Sequence, residues 1–437
     1  MSSYDFIILY EHRARELENA VFLAMLLEKK GYKVAIEYRR SARLLFQKTD
    51  VLLVPFFWNN ENVIDFTMQP FCKIKKVINM QYEQVFTRTD EKTGMLFPRE
   101  VAVNAQHIAW GEREKELMIK NGISESNIHQ IGHISMDFNN KKFDKYFHSK
   151  KFMSKKYGIP LDKKWHLFIS SFSLVGLTDD ELKQISVGLS DPDSLMTAAV
   201  KSQTGILDWY EHYLKENEDT IVIYRPHPGE IKSERLEIMQ KKYKNFVCIS
   251  DYSIRQWIRI SDSICTWQST SIVDAYFAGK SCAIIRPVKI PEERDYGIYG
   301  NQRFIEDYDV FESFIKHQED YEINDEIIKK YYCNSFDADT FKKMVDLCVR
   351  VIKSNKYSYN YINQKKQMHD TFIKYPIFRV LTGIASIVDY SKISPSKYTY
   401  DIKHSRIESK NIKREIMAYR KRLKSLVDKY YKILAER

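Results

Sequence analysis

Short apolar runs alternate with stretches of helical periodicity along the first 300 or so residues of this 437-residue chain. Phe6-Ile7-Ile8-Leu9 predicts a first strand. Arg15 to Lys30 predicts a helix with apolar positions at Leu17, Ala20, Val21, Ala24, Met25 and Leu27, closed by Gly31. Val34 to Ile36, Val51 to Pro55, Val77 to Met80 and Ile108 to Trp110 follow as strands. Such alternation indicates a doubly wound parallel sheet, whose ligand crevice lies at the C-terminal strand ends.

A connector rich in Lys, Asn, Asp and Phe runs from Asn139 to about Lys164, and the alternation then restarts. Leu167 to Ser170, Ile221 to Tyr224, Phe246 to Ile249, Ser263 to Cys265 and Cys282 to Ile285 read as strands. Helices are expected over Ser194 to Lys215, from about Glu230, around Ile254 to Trp257 and after Ser269. The prediction is an α/β protein with two Rossmann-like domains, residues 1–155 and 156–305, and a helical extension over residues 306–437. Within the extension Phe311 to Ile315, Ile327 to Tyr332 and Thr340 to Ile352 are helical. Ile412, Ile416, Tyr419, Leu423, Leu426, Tyr430 and Ile433 form a heptad seam. That seam suits either an oligomeric coiled coil or a helix lying on its own body.

Charge sharpens the picture once it is located. The net +11 resides in the tail: residues 351–437 carry 20 Lys and Arg against 7 Asp and Glu, leaving 49 against 51 for the rest. A nucleic-acid enzyme would carry its positive field around the cleft, so no nucleic-acid partner is expected. The basic tail suits an anionic membrane surface, an acidic partner or self-association, or is a solvated face on packed helices. Phe372 to Ile384, mixing aromatic and basic residues, suits interfacial membrane contact or packing on the N-terminal domain. No apolar run approaches 18 residues and no leader is evident, so the expectation is a cytoplasmic protein, peripheral on the inner membrane face if the tail binds there. The six cysteines are scattered and read as reduced.

The candidate chemistry sits at strand ends. Arg225-Pro226-His227-Pro228-Gly229-Glu230 follows the 221–224 strand, and the flanking prolines restrict the histidine's backbone. Gln268-Ser269-Thr270-Ser271 follows the 263–266 strand and opens a helix containing Asp274 and ending at Gly279. If both strands are parallel members of one sheet, both turns face one crevice, where an imidazole, hydroxyls and backbone N–H groups hold phosphate. Arg225 would add a bidentate contact. In the first domain Glu11 and His12 end the first strand, and Glu83 follows the 77–80 strand; either carboxylate there could take a proton from an acceptor. Asp191-Pro192-Asp193 is read as a turn and helix cap, with no metal expected. His107, His166 and His212 are read as structural. No P-loop, dinucleotide fingerprint or nucleophile elbow is present.

Arg225 to Pro228, Ser250-Asp251-Tyr252, Ile260-Ser261-Asp262, Ser269 to Ser271, and Asp274-Ala275 with Gly279-Lys280 resemble the C-terminal half of bacterial capsule and O-antigen glycosyltransferases of the GT-B fold with an HP motif. Kdo transferases and sialyltransferases are among these, and CDP-glycerol glycerophosphotransferases show a similar ordered set. The resemblance implies a metal-independent glycosyltransferase with no cofactor beyond its nucleotide-sugar donor, CMP-linked in the nearest families. It implies a glycan or lipid-linked acceptor. His227 would contact the donor phosphate and the departing nucleotide, Ser269 to Ser271 would hold phosphate, and Asp274 would orient ribose or base. Glu83 stands where those families place a base, without their paired acid and glycine. Gly132 to Asp137 resembles a stretch closing the N-terminal half near the nucleotide. The alternatives are a CDP-glycerol or CDP-ribitol polyol-phosphate transferase and a non-catalytic capsule-assembly scaffold.

Overall fold

A computed structural model describes residues 2–67, 74–93, 96–178, 192–231, 233–317, 321–355 and 411–435. Asp191 and the 372–384 stretch lie outside the described residues. The fold is α/β of the GT-B type, with two six-stranded parallel sheets. The chain forms two compact units, one from Met1–Gln84, Leu96–Asp137 and Tyr332–Arg437, the other from Val85–Met95 and Phe138–Tyr331.

In the first unit β1 (Ser2–Tyr10), β2 (Val34–Tyr38), β3 (Gln47–Val54), β4 (Ile74–Asn79), β5 (Gln106–Ala109) and β6 (Ile128–Gln130) run in the order β2-β1-β3-β4-β5-β6. Pairing is parallel throughout, for example Ile7 with Leu52 and Ile7 with Ala35. Ile7, Leu9, Leu52, Val54 and Val77 are buried with the flanking Phe57 and Phe66, as expected of strands covered on both faces. The three-residue β6 is too short to register in the hydrophobic pattern.

The C-terminal helices complete this unit. Thr340–Lys353 buries Phe341, Met344, Val345, Cys348 and Val351, a stripe at helical spacing. Lys76 Nζ caps its end, donating to the Val351 and Ile352 carbonyls at 2.7 Å each. Helix Ile412–Ala435 packs on helix Glu18–Lys29. Leu423 and Tyr430 of the predicted seam are buried, together with Val427, and the Tyr430 ring meets Phe22 edge-on. Arg420 grips Glu28 through two bonds of 2.6 and 2.8 Å, and Asp428 pairs with Lys29 at 2.6 Å. The apolar seam is thus used within the chain. No helix among the described residues is long and apolar enough to cross a membrane.

In the second unit β7 (Lys164–Ile169), β8 (Thr220–Arg225), β9 (Phe246–Cys248), β10 (Ser263–Thr266), β11 (Ala283–Ile285) and β12 (Phe304–Ile305) lie in the order β12-β11-β10-β7-β8-β9. The chain starts at central β7, winds outward through β8 and β9, then returns to β10 on the other side. The topological switch therefore falls between β7 and β10, where ligands of open α/β sheets bind. Phe168, Phe172, Tyr210, Tyr224 and Phe311 anchor the core. His166 is structural, as read: fully buried, its ring nitrogens meet Ser263 Oγ at 2.7 Å and Tyr210 Oη at 2.8 Å, and burial holds its pKa down to about 3. The predicted connector contains a further helix, Lys150–Tyr157, capped by Ser149 and ended by a left-handed Gly158.

Candidate functional site

Three loops meet at the C-terminal ends of β7, β8 and β10 around a cavity of about 180 Å³. Ser171 and Ser173 come from the first loop, His227 from the second, and Gln268, Ser269 and Thr270 from the third. Trp267 and Tyr296 add aromatic wall.

The His227 loop is built on Glu230. One carboxylate oxygen accepts the Tyr224 hydroxyl at 2.7 Å and Gln203 Nε2 at 3.3 Å; the other accepts the Ser170 hydroxyl and, at 3.0 Å, the His227 backbone N–H. This commitment also explains why the following helix starts at Glu234 rather than near Glu230. The Gly229 N–H donates to His227 Nδ1 at 3.1 Å, so the neutral ring carries its proton on Nε2.

The third loop is equally constrained. Ser269 Oγ accepts the Ser271 N–H at 3.2 Å, and Tyr299 Oη both accepts the Ser269 N–H at 2.5 Å and donates to its carbonyl at 2.9 Å. Gln268 is held by Ser171 Oγ at 3.2 Å and by the Arg294 carbonyl at 2.6 Å. Trp267 stacks on Phe172 with centroids 4.6 Å apart, while the Arg286 guanidinium covers the ring at 5.6 Å. Trp267 is buried, and its Nε1–H has no acceptor among the described residues. An unmade buried hydrogen bond costs about 1–3 kcal/mol.

Of the predicted phosphate contacts, His227, Gln268, Ser269 and Thr270 line the cavity. Ser271 begins the following helix, Ser271–Phe277, which spans only seven residues and ends before a left-handed Gly279, as the sequence indicates. Gly229 packs beside the His227 ring. Arg225 points its guanidinium at the Ile249 and Tyr252 carbonyls at 3.1 and 2.5 Å, and burial lowers its pKa to about 10. Asp274 is buried, accepts Asn139 Nδ2 at 2.9 Å and lies 3.6 Å from Arg255. Sequence reading did not single out Ser171, Ser173, Trp267 or Tyr296. The run Ser170-Ser171-Phe172-Ser173 directly after an apolar strand was the available signal.

A second cluster occupies the C-terminal edge of the first sheet. Between β1 and helix Glu18–Lys29 lies a π-helical turn, Arg13–Leu17, a form concentrated at functional sites. Glu16 is buried there; one oxygen accepts the Glu11 N–H at 2.7 Å and the other accepts Arg15 Nε and Nη2 at 3.0 and 2.7 Å. Arg15 Nη1 donates to Glu83 at 2.5 Å, and Glu11 pairs with Arg39 at 3.0 Å. The two predicted residues are therefore linked through Arg15 and Glu16, Glu83 by its carboxylate and Glu11 by its backbone N–H. Burial raises the Glu16 pKa to about 7; Arg15 opposes the shift and Glu11 reinforces it. The Gly132 to Asp137 stretch packs within this unit: Gly132 takes a left-handed φ of +96°, where a Cβ would strike Asn334 Oδ1 at 2.8 Å. Asp137 accepts the Phe341 N–H at 2.9 Å, and burial raises its pKa to about 6.

No protein-family model and no curated protein matches the sequence. Solved structures do match in fold. S. aureus MnaA with UDP aligns over 80% of this chain and 96% of its own at 12% identity and a TM-score of 0.51. The wall teichoic acid polymerase TagF soaked with CDPG aligns over 80% and 89% at 13% identity and a TM-score of 0.52. The UDP-GlcNAc 2-epimerase of Neisseria meningitidis bound to UDP-GlcNAc aligns over 79% and 99% at 11% identity and a TM-score of 0.50.

Two outcomes are expected. Glu230→Ala strands the buried Tyr224 and Ser170 hydroxyls, so urea unfolding should show a loss of at least roughly 1–3 kcal/mol, with faster amide exchange at His227. Glu16 and Asp137 both have native pKa values above their ordinary ones, so the native state keeps protons that the unfolded chain has released. The stabilisation from these groups is complete below about pH 4 and is lost as pH rises through about 6 to 7. Glu16→Gln should flatten the decline of stability between about pH 5 and 7.5, by at most roughly 1.4 kcal/mol per pH unit, measured by urea unfolding across that range.

Proposed function

We propose that the protein is a glycosyltransferase that moves a sugar from a nucleotide donor, CMP-linked by the family resemblance, to a surface polysaccharide or its lipid-linked precursor. The observation that carries this reading is the switch-point cavity, where His227, Ser269 and Thr270 converge. That donor set suits phosphate oxygens.

In this reading His227 donates its Nε2–H to the phosphate as the bond to the sugar breaks, so charge developing on the departing nucleotide meets a fixed donor. Ser269 and Thr270 hold the phosphate in register. The restrained loops supply orientation, which accounts for much of the rate of a two-substrate transfer. Glu83, oriented by Arg15, takes the proton of the acceptor hydroxyl. A polyol-phosphate transfer from CDP-glycerol or CDP-ribitol is the second reading, favoured by the fold likeness to TagF.

Thermal-shift screening against CMP, CDP, UDP and GDP compounds tests the donor site. At least one nucleotide should raise Tm, and His227→Ala should abolish the shift and cut transfer by on the order of 10²–10³. Absence of any shift, or equal shifts in His227→Ala, contradicts the assignment. Released CMP with a sugar mass increment identifies glycosyl transfer from a CMP donor; CMP with a polyol-phosphate increment identifies the second reading.

A further inference from the structure

Arg15 is held as a binding residue is held, with donors to spare. A guanidinium has five N–H donors. Nε and one N–H of Nη2 are committed to Glu16, and one N–H of Nη1 to Glu83. Two N–H groups, one on each terminal nitrogen, have no acceptor among the described residues. The side chain is 37% exposed, so a ligand can reach it.

Its two partners differ in kind. Glu16 is 1% exposed and fixed by the Glu11 backbone N–H as well as by Arg15. It is a fixed hydrogen-bond partner that sets the guanidinium plane. Glu83 is 42% exposed and reaches Arg15 through one bond. The residue sits on a π-helical turn at the end of β1, and the β1–β3 boundary is the topological switch of the first sheet. The Arg39 and Glu11 pair borders it, and His12 lies 3.7 Å from Glu11.

We infer that Arg15 binds an anionic group of the acceptor, a carboxylate or phosphate, through its two remaining N–H groups, with Glu16 as the residue that positions it. Planar two-oxygen anions match a guanidinium fork. This rests on the reading of the first unit as the acceptor side, and it assigns the acceptor a class: an acidic glycan or a phosphate-bearing carrier rather than a neutral sugar. Glu83 then stands beside the bound anion, where Arg15 offsets the repulsion between the two.

The test uses the full chain and simple probes at matched ionic strength: inorganic phosphate, glucuronate, and neutral N-acetylglucosamine as control. Arginine-selective dicarbonyl labelling, read by peptide mass spectrometry, should modify Arg15 in the free protein. Phosphate or glucuronate should slow that modification several-fold, and N-acetylglucosamine should not. Protection by one anion alone assigns the source as phosphate or carboxylate. In parallel, the anion-induced rise in Tm should be lost in Arg15→Gln and retained in His227→Ala. Equal labelling with and without both anions overturns the inference, and this readout needs no variant to fold. A Tm rise lost in His227→Ala but retained in Arg15→Gln also overturns it, because the anion is then in the donor cavity and the donor assignment stands alone.

Discussion

The His227 side of the β7–β10 cavity depends on one carboxylate. Glu230 collects a hydroxyl from the end of β7, a hydroxyl from β8, an amide from the long helix Pro192–Glu216 and the backbone N–H of His227. An ionised carboxylate accepts several hydrogen bonds at once, and its charge strengthens each of them. Without it a proline-flanked turn would be stiff but unaimed. With it, the imidazole has a defined place and, through the Gly229 N–H, a defined tautomer.

The opposite wall follows a related logic with different groups. The Tyr299 hydroxyl braces both the N–H and the carbonyl of Ser269, and Arg286 bonds the Trp267 carbonyl and, at 2.5 Å, Asp295. These bonds spend the nearby full charges on scaffolding. Arg225 is diverted in the same way. Among the described residues the cavity is consequently lined by hydroxyls, an amide, one imidazole and apolar side chains, with no lysine or arginine.

Much of this was legible in the chain because strand ends carry a local signature. The apolar runs located ten of the twelve strands among the described residues, and the polar turns after β8 and β10 marked two of the loops that line the cavity. Residues whose role is set by distant partners were harder to read. Glu230 and Arg225 look like ligand contacts in sequence, yet their partners lie in loops and strands that only the fold brings near. Trp267 directly follows an apolar run, and no periodicity reports that it walls the cavity. Arg15 and Glu16 are two charged residues in a helical turn, and only the π-helical geometry and the burial of Glu16 separate them from a solvated face. The two-residue β12 and three-residue β6 are too short to show a period.

The central claim is that phosphate of a nucleotide donor sits at the β7–β10 switch. The most direct measurement is a crystal structure of the full chain with CMP. The account predicts phosphate oxygens within hydrogen-bonding distance of His227 Nε2 and the Ser269 or Thr270 hydroxyl. A nucleotide bound with its phosphate away from those groups, or on the edge of the first sheet beside Arg15, would contradict it.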